Sequence, residues 1–304
     1  MTRDGDKTVD LQRPPVPERP PLLSVGQRIA DRYVVERFVA RGAMGEVYAV
    51  EDTLVAERVA LKLLLPELAR DSHALARFRR EMQLARRVTH PNVCRVHDLS
   101  MHEDKAQLGP LEIRNASWFL TMEFLDGETL GDRVARVGAL PLAEAEPIVR
   151  QVVAGLQALH AQDIVHRDVK PSNVMLAARG AVVTDFGLAR AATGAQITSG
   201  VALLGSPHYM APEQVTGATI GTAADIYALG VLLYEVVTGR RPFVGQTPIE
   251  TAGLRLYQQP TPPRQHRPSL PAAWEAAILR CLQRAPADRF AHVEDLLTAL
   301  GANT

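Results

Sequence analysis

The chain has little cysteine, no surplus of charge of either sign and no long greasy run, and each shortage closes off a class of protein. Its two cysteines, Cys94 and Cys281, lie far apart with no Cys-x-x-Cys spacing. A disulfide scaffold or a zinc ribbon is therefore not expected, and buried free thiols in a reducing compartment are. The 34 basic and 34 acidic side chains cancel, giving a pI near 7.1. That balance offers no electrostatic reason to take nucleic acid or an anionic membrane as the main partner. The longest apolar run, 226–237, is broken by Gly230 and Glu235 and falls short of the ~20 residues a membrane span needs. Residues 1–32 place prolines at 14, 15, 17, 20 and 21 among charges. They lack the continuous apolar stretch of a signal peptide and read as a solvated, disordered tail that buries too little apolar surface to offset the entropy of ordering. The chain reads as cytoplasmic, with no internal repeat.

What is present divides into strands followed by helices. Tyr33 to Val35, Glu46 to Val50 and Arg58 to Leu63 are short β-type runs separated by turn residues, which predicts an antiparallel meander. Between the first two runs lies Val39-Ala40-Arg41-Gly42-Ala43-Met44-Gly45-Glu46-Val47. Glycines there let the backbone come close to a phosphate and turn its N–H groups toward it, while Val47 is placed to cover an aromatic base. Ser72 to Val88 has helical periodicity, and Pro91 after His90 marks its end. Trp118 to Leu125 predicts a buried strand, and 101–117 before it a polar, solvated loop longer than a hairpin needs. Beyond Asp126-Gly127-Glu128 the periodicity is helical over 142–161, 225–238, 273–284 and 293–300, with 225–238 apolar on nearly every face. Strands first and helices after give an α+β protein of two lobes with a cleft between them.

The chemistry concentrates in His166-Arg167-Asp168-Val169-Lys170-Pro171-Ser172-Asn173, followed by Asp185-Phe186-Gly187. Asp168 is an acid able to accept a hydroxyl proton, and Lys170 a cation able to offset phosphate charge. Asn173 and Asp185 are oxygen ligands suited to a hard divalent ion. These are the parts that phosphoryl transfer needs.

In order and spacing these words, with Val59-Ala60-Leu61-Lys62 and Ala211-Pro212-Glu213, resemble the eukaryotic-like (Hanks-type) serine/threonine protein kinases. The resemblance covers about residues 33 to 300, and the arginine- and alanine-rich style is that of bacteria. It implies the two-lobed protein-kinase fold. A small N-lobe antiparallel β-sheet with one long helix would span 33–122, a hinge 123–127 and a larger, mainly helical C-lobe 128–301. The implied reaction moves the γ-phosphoryl group of ATP, with Mg2+, to serine or threonine hydroxyls of protein substrates. Self-association for trans-autophosphorylation is left open. Asp168 would take the proton, Lys170 would neutralise the transferring group, and Lys62 would pair the α- and β-phosphates while held by Glu81. Asn173 and Asp185 would ligate the metal.

By the same resemblance, the nucleotide would lie under Val39 to Val47, with the backbone of Glu123 and Leu125 on the base edge. Met122 would stand behind the base, and Asp126 or Glu128 near the ribose. Lysine at 170 matches serine/threonine rather than tyrosine kinases. One departure is Ala40, where the family usually has glycine; a methyl group is harmless there in an extended residue but costs about 1–2 kcal/mol at positive φ. The segment 187–210 matches an activation loop, with Thr193, Thr198 and Ser199 as phosphorylation candidates and Ser206 shaping the peptide pocket. Arg167, Arg190 and Arg77 would gather round the phosphate, and Glu213 with Arg289 would form a buried ion pair. Two rival readings are a pseudokinase scaffold and a small-molecule phosphotransferase. The first predicts a missing lysine, base or metal ligand, and none is missing. The second has little use for Ala211-Pro212-Glu213 or a peptide pocket.

Overall fold

A computed structural model of the chain describes residues 20–42, 45–64, 72–108, 111–186 and 207–301. The first part is a six-stranded antiparallel sheet: β1 (Arg28–Ile29), β2 (Tyr33–Gly42), β3 (Gly45–Asp52), β4 (Glu57–Leu64), β5 (Val96–Leu108) and β6 (Leu111–Glu123). Its strand order is β1-β2-β3-β4-β6-β5. Strand alternation sorts the side chains. Tyr33, Val35, Tyr48, Val50, Val59, Leu61 and Leu63 pack with Phe119 on one face. Ala60, Lys62 and Leu64, the alternate set on β4, turn to the other, where α1 (Ser72–Ala85) supplies Phe78, Met82 and Ala85.

Two expectations are corrected here. Order begins before residue 33, because Leu23 and Ile29 are buried against the outer face of the sheet and β1 pairs with β2. The stretch 101–117 is no loop, since β5 and β6 continue through it as one long hairpin with Glu103 opposite Ala116 and Lys105 opposite Arg114. The ribbon is defined by backbone pairing with the strand across the hairpin, which a loop-like composition does not exclude.

The second part is mainly helical: α2 (Leu130–Val137), α3 (Leu142–His160), α4 (Pro212–Thr216), α5 (Ala223–Thr238), α6 (Pro248–Tyr257), α7 (Pro263–His266), α8 (Ala272–Cys281) and α9 (Asp295–Ala299). The long helices match the sequence expectation to within a few residues. α5 is buried along almost its whole length at the centre of the main core. A small sheet of β7 (Gly127–Thr129), β8 (Val174–Ala177) and β9 (Gly180–Val183) lies where the two parts meet.

The parts are stitched together just after α1. Cys94 N donates to Val183 O at 2.8 Å, Val183 N to Asn92 O at 2.9 Å and the Asn92 amide to Ala181 O at 2.8 Å. Gly155 in α3 allows this close fit, since a Cβ there would stand 2.6 Å from Asn92 O. Glu213 and Arg289 form the expected buried pair, with Nη1 to Oε1 at 2.7 Å and Nη2 to Oε2 at 2.8 Å. Both cysteines are free and buried, and burial pushes the Cys94 thiol well up and that of Cys281 to about 12.

Candidate active site

The loop at 166–173 owes its shape to a residue that the sequence reading did not single out. Asp225, fully buried at the head of α5, accepts the backbone N–H of His166 at 2.8 Å and of Arg167 at 2.7 Å, and lies 2.8 Å from His160 Nε2. Those bonds hold Arg167 at φ +68°, an uncommon conformation for a side chain of its size. Gln214 adds a third tie, donating its amide to Arg167 O at 3.0 Å. The signal was present in the sequence as an acid in the first turn of a nearly apolar helix. Only the fold shows what that acid faces.

Beyond that turn the functional side chains converge. Lys170 Nζ is 2.7 Å from Asp168 Oδ2, and the Asn173 amide nitrogen donates to the Asp168 carbonyl at 2.8 Å and to its Oδ2 at 3.0 Å. With its nitrogen so occupied, Asn173 is left with its amide oxygen to offer. The β8–β9 register pairs Val174 with Val183 and Thr184 N bonds Asn173 O at 2.9 Å, which brings Asn173 beside Asp185. Asp185 sits at φ +59°, and His166 Nε2 lies 3.0 Å from Thr184 O just before it. An amide oxygen and a carboxylate facing one cleft are the hard donor set that magnesium takes when phosphate oxygens and water complete its shell.

Lys62 reaches this group from the sheet. Its Nζ is 2.8 Å from Asp185 Oδ1, and the ammonium is nearly enclosed. Burial alone would push the Asp185 carboxyl up, but the charge and hydrogen bond of Lys62 outweigh it and hold the group below the ordinary carboxylate range. Among the described contacts Lys62 is thus held by Asp185, and the expected pair with Glu81 on α1 is not one of them.

The slot beside these groups is apolar. Ala60 and Met122 pack with Val182, against which Val47, Leu125 and Met175 also lie. Met175, on β8, was not anticipated; like Val47 it packs against this small cluster, which only the fold assembles from separate strands. Glu123 turns its carboxylate away from the slot, to Arg179 at 2.7 and 2.5 Å and to the N–H of Arg95 at 2.8 Å, leaving backbone for a ligand. Glu128 is committed to Arg136 at 2.6 Å.

The glycine hairpin is formed by β2 and β3, with Gly42 opposite Gly45. Ala40 lies within β2 and not at positive φ, so its methyl group is tolerated. Gly45 is required by packing, since a Cβ there would stand 1.9 Å from Leu63 O. Arg41 and Glu46 contribute backbone to the hairpin, but their side chains face the other way. Arg41 bonds Pro20 O at 3.0 Å, and the Glu46 carboxylate accepts Arg41 Nε at 2.8 Å, Leu22 N at 2.9 Å and the Tyr48 hydroxyl. Val39 is exposed on β2. Ala43, Met44, Arg190, Thr193, Thr198, Ser199, Ser206 and the side chain of Arg77 lie outside the described residues.

A sheet lobe, a helical lobe and a cleft that gathers two carboxylates, two lysines and an amide define the class of the protein kinases. Residues 33–299 match the model of the protein kinase domain, and the chain belongs to that family. It is 36% identical over 275 residues to the serine/threonine-protein kinase PrkC of Bacillus subtilis, covering 90% of this chain and 41% of that protein. It is 37% identical over 270 residues to PknB of Mycobacterium leprae, covering 88% and 42%. The chain therefore spans about two-fifths of the length of these curated relatives. Among solved structures, the PknI kinase domain of Mycobacterium tuberculosis superposes with a TM-score of 0.71 at 30% identity, covering 92% of this chain and 98% of that one.

Proposed function

We propose that the chain is the catalytic domain of a bacterial serine/threonine protein kinase that transfers the γ-phosphoryl group of ATP to protein hydroxyls. The observation that carries this reading is the meeting of Lys62, Asp168, Lys170, Asn173 and Asp185 at one cleft. Magnesium would be held by Asn173 and Asp185 and would neutralise charge on the phosphates. Asp168, steadied by Asn173, accepts the proton of the attacking hydroxyl; in a loose transition state its placement matters more than its basicity. Lys170 lies where charge gathers on the transferring group, and Lys62 fixes the nucleotide from above. Leu125 and the Glu123 backbone take the base edge. Glu81 completes the machinery as the partner that Lys62 would gain if Asp185 turned to the metal. Phosphorylation within 187–210, at Thr198 or Ser199, is the proposed activating step, by a second copy of the chain. The setting is cytoplasmic, and no helix among the described residues is long and apolar enough to cross a membrane.

Incubation with labelled ATP and Mg2+ tests the reading. The wild-type chain labels itself or a general acceptor protein on serine or threonine, and Asp168→Asn lowers the rate by at least ~100-fold, the scale seen when one preorganised group is lost. Equal labelling by the two proteins would remove Asp168 from the mechanism.

A further inference from the structure

Arg255 on α6 is 1% exposed, yet among the described residues no carboxylate lies within ion-pair distance of it. Its guanidinium is answered by carbonyls alone: Nη1 donates to Met210 O, and Nη2 to His208 O at 3.2 Å and Thr251 O at 3.3 Å. The Nε atom has no hydrogen-bond partner. A desolvated cation without an opposite charge carries a cost that packing does not require, and such exceptions gather at functional positions.

The place of those carbonyls explains the exception. The segment 208–210 runs into Ala211, whose N–H donates to Gln214 Oε1 at 2.8 Å, while the other end of that amide binds Arg167 O beside Asp168. Burial first, then the Glu235 carboxylate and, more weakly, the charge of Asp168, push the Tyr209 hydroxyl of this segment up, so the segment borders the place where a hydroxyl would meet Asp168. A second guanidinium, Arg241, stands 4.0 Å from Glu235, whose carboxylate also accepts the Tyr209 hydroxyl. Among the described residues, only Arg241 of these two cations has a carboxylate near it, at 4.0 Å, and Arg255 has none. His208 registers the result: burial first, then the charges of Arg241 and Arg255, hold its imidazole below the ordinary value.

We infer that Arg255 and Arg241 give the wall at 208–210 a net positive potential, which selects substrates with acidic side chains beside the acceptor hydroxyl and rejects those with basic ones. The inference rests on the kinase reading above and goes beyond it to the class of substrate. Arg255 acts here as a positioning and specificity residue, holding the wall through its carbonyls and charging it through its buried guanidinium.

The test uses the full chain with Mg2+ and ATP and three peptides that differ only in whether glutamate, alanine or lysine flanks the acceptor on both sides. Wild type is expected to prefer the glutamate peptide over the lysine peptide by about tenfold in kcat/KM, a difference of about 1.4 kcal/mol. That ratio should fall several-fold in Arg255→Met and in Arg241→Gln, and return in Arg255→Lys. A general loss of activity cancels in the ratio, and Arg241→Gln, at a partly exposed side chain, carries the test if Arg255→Met does not fold. Equal use of the two peptides by wild type, or a ratio unmoved in both charge-removing variants, overturns the inference and leaves the kinase intact. Labelling of no peptide and no self-labelling would overturn the kinase reading, and this inference with it.

Discussion

Asp225 takes no part in chemistry, yet three groups depend on its carboxylate, and two of them are the backbone N–H groups that aim Asp168. A buried carboxylate that accepts such bonds cannot be replaced cheaply, because charge-assisted hydrogen bonds contribute about 1.5–3 kcal/mol each. Asp225→Asn keeps the shape but presents an amide nitrogen to one donor. We expect kcat to fall by about tenfold or more with KM for ATP little changed, since the nucleotide slot is built from other strands. A fall in nucleotide affinity at constant kcat would show that Asp225 shapes the slot instead. Arg167 at φ +68° is the strained residue this anchor holds in place.

The glycine hairpin is tethered as an element, through Glu46 on β3 and the chain before β1. Burial would raise the Glu46 carboxyl, but the N–H of Leu22, the Tyr48 hydroxyl and Arg41 outweigh it and hold it below the ordinary value. A carboxyl depressed on folding stabilises above its unfolded pKa, about 4.3, and loses that contribution as pH falls through its folded value. Glu46→Gln should therefore lower Tm at pH 7 and differ little from wild type near the acid end of the stability curve. A Tm deficit of the same size at both ends would show that lost packing, and not charge, is responsible. The hairpin between β5 and β6 illustrates another case, an element defined by backbone pairing across the two strands that a loop-like composition does not announce.

Across the whole molecule, the pair of Glu213 and Arg289 joins the segment that follows 187–210 to the far end of the helical lobe. Arg289 also donates to Gln283 O, Ala223 O and Arg284 O, at 2.8, 2.8 and 2.9 Å. Removing one charge from such a pair leaves the other buried alone, which typically costs 3–5 kcal/mol. Glu213→Gln is expected to lower the unfolding free energy by that amount, read from the fall in the chemical-denaturation midpoint at an unchanged slope. Replacing both residues by apolar ones should recover much of the loss, and a double variant as unstable as the single would count against the account.

The sequence by itself carried the central strands, the long helices and the chemical groups of the cleft, because periodicity and short words in Asp168 to Asn173 and Asp185 are local properties of the chain. Tertiary structure alone decided which groups face each other. Lys62 meets Asp185 across the cleft, Glu46 turns to Leu22, and Asp225 turns to the loop at 166–167. Partners 24 to 123 residues apart are chosen by packing and strand register, which no stretch of sequence encodes on its own.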